Sequence, residues 1–206
     1  LPEIKEKLAQ MMQALEPLSK SDKENFIRHF WIMTYGSPMN KTKLSNSISN
    51  DINKLIDGQK AIELTSILRT AAKTYAEKVV VADPKQKYYI PHQYLINCNF
   101  KQYRPLLLAL ASRRDINPDA FTTIFRIIET LYVRFLLIGK QKGSLLEPLF
   151  ATWSHEALDL TKTADNLIDK WLADSKKIEE KFNFLIVFSA LKITDKKKIM
   201  YLLAKI

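Results

Sequence analysis

Residues 103–139, YRPLLLALASRRDINPDAFTTIFRIIETLYVRFLLIG, constrain the fold more than any other stretch of this chain. Two helices are predicted here. The first opens at Pro105, a residue suited to an opening turn, and the second follows the Asn117-Pro118-Asp119 break, which supplies a cap residue with proline just after it. Around the second helix apolar side chains point to nearly every side, from Phe121 through Ile124, Ile128 and Leu131 to Leu137, and Thr123, Arg126, Thr130 and Arg134 form a narrow polar stripe. A helix that is apolar on most faces must be covered by others, so the pair is expected at the centre of an all-helical body.

The rest of the chain agrees with that class. With 206 residues, 47% of them hydrophobic, it can bury a core as one domain or two small ones, and its 4 glycines leave little material for hairpins. Helical spacing recurs from end to end without a fixed repeat. The expected architecture is an all-α, irregular bundle of about nine to ten helices around the buried central pair. Helices are predicted over Pro2 to Leu15, from a cap at Ser21 or Asp22 to Gly36, and over Thr42 to Leu55, with Leu44, Ile48, Ile52 and Leu55 as the buried edge. Others follow at Ala61 to Val81, Leu145 to Leu158, Ala164 to Ser175, Lys177 to Leu191 and Asp195 to Ile206. Between Lys85 and Asn99 the periodicity fails around an internal proline, which predicts an ordered crossing segment. The expected organisation is therefore a helical half at 1–83, a crossing segment at 84–99 and a second helical half at 100–206, or one compact domain overall.

Chemistry-bearing patterns are scarce. The single cysteine, Cys98, excludes an internal disulfide framework and a multi-thiolate zinc cage, and fits a reducing, cytoplasmic setting. His29, His92 and His155 lie on different elements, and there is no HExxH, glycine-rich phosphate loop or nucleophile elbow. No catalytic, metal or cofactor site is expected within this chain. Asp57-Gly58-Gln59 resembles the phosphate-handling signature of ParB-like domains, but that motif needs a strand and a sheet behind it, and a helix-to-helix turn explains the same residues. No apolar run approaches the roughly 18 residues that cross a bilayer, so no membrane partner is expected. The chain starts at Leu1 and ends while a helical pattern is in progress, the look of a piece of something longer.

Net charge is +10, from 32 basic and 22 acidic residues, which favours a polyanion such as DNA or an acidic partner. The basic clusters are Arg113 with Arg114, Lys140 with Lys142, Lys176 with Lys177, and Lys196, Lys197 and Lys198. Cations at a helix carboxyl end complement its dipole, which accounts for Arg113, Arg114 and Lys140 without a ligand. Lys196 to Lys198 stand at the start of a predicted helix, where the dipole opposes them, so a phosphate or acidic contact is more attractive there. Arg126 and Arg134 are expected to be structural, paired with Glu129 or a neighbouring helix.

The run Phe26-Ile27-Arg28-His29-Phe30-Trp31 followed by Lys43-Leu44, the segment from Gln102 to Leu110, the stretch from Ile124 to Gly139 with Arg134 inside it, and the closing Lys198 to Ile206 together resemble the helical middle region of GmrSD-type proteins. Those are modification-dependent restriction endonucleases of bacterial phage defence. The resemblance implies a parent with a nucleotide-using ParB-like domain before this region and a metal-using HNH nuclease after it. On that reading the partners are the adjoining domains of the same parent chain. It implies no catalytic residue here; Arg28, His29 and Arg134 fall at matching positions without an assigned role. The alternatives are a basic nucleic-acid-binding helical module and an unrelated helical protein-interaction domain.

Overall fold

A computed structural model describes residues 2–54 and 58–180, together with Thr194, Lys196, Ile199 and Met200. Among them the structure is all-α, with nine α-helices and no strand. These are α1 (Pro2–Leu15), α2 (Lys20–Tyr35), α3 (Lys41–Asn53), α4 (Gly58–Thr74), α5 (Tyr89–Asn97), α6 (Arg104–Ser112), α7 (Pro118–Leu131), α8 (Glu147–Leu158) and α9 (Ala164–Glu180). Two of them run on into π-helical turns, α4 into Tyr75–Val79 and α7 into Tyr132–Ile138.

The residues group into two compact units that are interleaved along the sequence. One contains 1–81, 104–113 and 150–158; the other contains 82–103, 114–149 and 159–206. The sequence expectation is a helical half on each side of 84–99 or one compact domain, and in the structure the chain passes between units at 81/82, 103/104, 113/114, 149/150 and 158/159. The predicted central pair is thereby shared out, α6 to the first unit and α7 to the second.

In the first unit α1 packs along α4, and α2 packs on α6 and α3. Phe26, Tyr75, Leu106 and Trp153 are among its fully buried side chains. Ser19 caps α2 by accepting from the Asp22 amide at 3.1 Å, two residues before the expected cap, and this turns the Asp22 carboxylate into the first helical turn. α3 departs from expectation. Its apolar edge is not buried: Leu44 and Ile48 are only partly covered and Ile52 is 57% exposed, while Leu55 lies outside the described residues. The helix is held by polar ties instead, Trp31 Nε1 donating to Asp51 Oδ2 at 3.0 Å and the Tyr35 hydroxyl to Asp51 Oδ1 at 2.5 Å.

Gly36 ends α2 in the left-handed region at φ +64°, donating its amide to the Ile32 carbonyl. A Cβ there would also stand 2.9 Å from His155 Cβ, an atom fixed to the α8 backbone. Gly36→Ala is therefore expected to lower stability by about 1–3 kcal/mol, read as a fall in the chemical denaturation midpoint at unchanged slope.

In the second unit α7 packs against α5 and α9. Asn117 caps α7 through its side-chain oxygen, which accepts from the Asp119 and Ala120 amides at 3.0 and 2.8 Å, with Pro118 at the first helical position as predicted. The expected crossing segment holds α5. Pro91 is the third residue of that helix, where a backbone N–H would have no intrahelical acceptor, so its loss costs nothing. α9 runs unbroken through Lys176, correcting the expected break there; the Ser175 hydroxyl bonds back to the Trp171 carbonyl at 2.7 Å within the buried face. The predicted helices beyond it fall almost wholly outside the described residues. Among the described residues no helix is long and apolar enough to cross a membrane.

Candidate functional site

The polar residues most worth attention lie inside the first unit, at the place where α2, α6 and the π-turn after α4 meet. Asp22 comes from the first turn of α2, His29 from two turns further along, Arg104 from the first residue of α6 and Tyr75 from the first residue of the π-turn. Arg104 is 4% exposed, His29 2% and Tyr75 0%. Buried charge and buried polar atoms of this kind are tolerated when they bond one another.

They bond in two pairs. Arg104 Nη1 lies 2.7 Å from Asp22 Oδ1, a charge-assisted pair with the arginine side chain 5% exposed and the aspartate 21%. The Arg104 charge also acts on the Tyr75 phenol. Tyr75 Oη is in turn 2.9 Å from His29 Nδ1. Burial pushes the Tyr75 phenol far above its usual range, the Arg104 charge opposes that, and the Asp22 charge adds to it. Phe26 packs on the Tyr75 ring with centroids 5.5 Å apart, closing the apolar side. The arrangement ties three elements together, and none of its four residues lines either of the two clefts described next.

Clefts on each unit tell the same story. On the first, an open apolar groove of about 390 Å³ is walled by Phe30, Met33, Ile67, Ala71, Leu108 and Leu158, and no titratable group lines it. Two hydroxyls of its lining bond back to their own helices, Thr34 to the Phe30 carbonyl at 2.9 Å and Thr70 to the Ser66 carbonyl at 3.0 Å. On the second, a hollow of about 210 Å³ collects Cys98, Phe100, Gln102, Tyr132 and Gln141. Among the described residues no group of three or more His, Cys, Asp or Glu side chains is placed to hold a metal ion.

The residues singled out in the sequence separate when placed. His29 belongs to the buried chain just described. Arg28 is half-buried and donates from Nε to the Met39 carbonyl at 2.8 Å, pinning the loop after Gly36 against α2. Arg113 is 7% exposed, with Nη1 donating to the Ala157 carbonyl at 3.1 Å near the end of α8. It is thus withdrawn from the surface at which a phosphate contact was considered, and the helix-end account is the one it follows, on α8 rather than its own helix. Arg114, Lys140, Lys142 and Lys196 are exposed. Lys197 and Lys198 lie outside the described residues, as does Asp57 of the Asp57-Gly58-Gln59 turn, while Gly58 starts α4. Arg126 and Arg134 are exposed on α7 and the π-turn after it.

Asp22 and Arg104 were missed as a site. Asp22 looks like a cap and Arg104 like a helix-opening residue, and 82 positions separate them, so no spacing rule links the two. The available signal was an arginine at the head of an otherwise wholly apolar helix, RPLLLALA, which demands a buried acceptor. Compared with family models, curated proteins and solved structures, the chain matches none of them.

Proposed function

We propose that this chain is a helical connector: a scaffold region of a GmrSD-like DNA restriction endonuclease of phage defence, which couples a nucleotide-using domain to a nuclease domain and makes or breaks no covalent bond itself. One observation carries the connector reading. The titratable side chains that converge, Asp22, His29, Tyr75 and Arg104, are spent on holding helices together inside the first unit, and the groove beside them is apolar. The likeness of the Phe26 to Trp31, Gln102 to Leu110 and Ile124 to Gly139 segments to the GmrSD middle region supplies the proposed parent. DNA binding by the chain is a second reading, favoured by the +10 charge and the exposure of Arg114, Lys140, Lys142 and Lys196.

Purified protein supplied with magnesium, nucleoside triphosphate and modified DNA is expected to leave both substrates intact. Turnover that tracks the protein through a final column would contradict the connector reading. Duplex binding that weakens steeply with added salt, with a slope flattened by charge reversal at Lys140 and Lys142, would favour the second reading.

A further inference from the structure

Neither its sequence nor its packing holds α3 firmly. The helix, KTKLSNSISNDIN, carries three serines, three asparagines and a threonine in 13 residues. These types are poor in a helix interior because their side chains compete for the backbone in other conformations. A helix of this length is marginal in water on its own, so it depends on what it rests against. Yet none of its residues is fully buried, whereas α2 beneath it buries Phe26, Phe30, Trp31, Ile32 and Met33.

What ties α3 to α2 is chiefly one carboxylate. In the last turn Asp51 accepts from Trp31 Nε1 at 3.0 Å and from the Tyr35 hydroxyl at 2.5 Å, two donors that stand four residues apart on α2. Bonds to a charged acceptor are about twice as strong as neutral ones. The other ties are weaker. Lys43 Nζ reaches the Ser37 hydroxyl at 3.0 Å on the surface, and the Ser47 hydroxyl stands 3.9 Å from the Met39 sulfur. Lys54 lies 4.0 Å from Asp51 but follows it in the chain and gives no hold on α2. The loop ahead of α3 is fastened separately, by the Arg28 bond to the Met39 carbonyl at 2.8 Å.

We propose that α3 is a strap that opens while the rest of the first unit stays folded, and that Asp51 is its latch. The loop held by Arg28 remains on α2, so opening starts at the Asn40 cap. It releases the Trp31 indole N–H and the Tyr35 hydroxyl together. Regions with few buried apolar contacts open at a fraction of the global unfolding free energy, and α3 is such a region.

Native-state hydrogen exchange of the whole chain, read by mass spectrometry across a series of low denaturant concentrations, tests both parts. After correction for intrinsic rates, α3 amides are expected to exchange at least about a hundredfold faster than those of α6, with a much shallower dependence on denaturant. Two variants probe the latch. Tyr35→Phe removes one bond to Asp51 and leaves the α3 sequence untouched; Asp51→Asn keeps the shape and removes the charge. Each is expected to speed α3 exchange by about tenfold, because the open state does not contain the bonds that are lost. Wild-type α3 amides that exchange at the α6 rate and with the α6 denaturant slope overturn the strap, whatever the variants do. Unchanged α3 rates in both variants overturn the latch.

Discussion

Arg104→Met should lower the unfolding free energy by about 3 kcal/mol, because it strands a mostly buried carboxylate while filling nearly the same volume. Asp22 keeps partial access to water and the Ser19 hydroxyl at 2.9 Å, which places the loss at the lower end of the range for a broken buried pair. Arg104→Lys retains the charge but not the planar fork, and should recover only part of the loss. Equilibrium denaturation of the three proteins checks the order wild type, lysine, methionine. A methionine variant as stable as wild type would mean that the pair contributes nothing net, as replacement of a buried ion pair by apolar residues sometimes does.

The second large effect belongs to the aromatic core of the other unit. Phe125 is 0% exposed and stacks on Tyr88 with ring centroids 4.7 Å apart and planes 7° from parallel; His92 and Tyr103 approach it at 5.3 and 6.2 Å. Phe125→Ala removes a ring from a site walled on three sides by other rings, which cannot collapse to fill the space. A loss of about 3–5 kcal/mol is expected, against about 1–2 kcal/mol for Phe125→Leu. Near-equal losses for the two variants would show that the surrounding rings close over the cavity, contrary to the rigid packing described here. Because the chain has two units, near-ultraviolet circular dichroism and tryptophan fluorescence should be followed together: Trp31 and Trp153 belong to the first unit and Trp171 to the second.

What was legible in the sequence was legible through local chemistry. Asn117-Pro118 announced the start of α7 because a cap and a proline act on their own turn, and Gly36 announced the end of α2 because a left-handed residue is a local need. Pattern failed where burial and periodicity part company. Leu44, Ile48 and Ile52 repeat at helical spacing, yet α3 is held by an aspartate shared between a tryptophan and a tyrosine, and its apolar edge stays largely open. Lys85 to Asn99 has no clean periodicity because Tyr88 and His92 face the Phe125 ring, and a helix forms where the pattern reads as a crossing. The polar chain was hidden for a different reason. Its members stand at positions 22, 29, 75 and 104, brought together only by tertiary packing, and each has an ordinary local explanation.

The account depends most on the claim that converging polar groups in the first unit are structural pins. A double-mutant cycle of Asp22→Asn with Arg104→Met, followed by urea denaturation at neutral pH, measures it directly. The prediction is a coupling of about 1–3 kcal/mol, the double variant being far less damaged than the sum of the singles. Strict additivity would contradict it, since two groups that do not rely on one another cannot be the pin that joins α2 to α6.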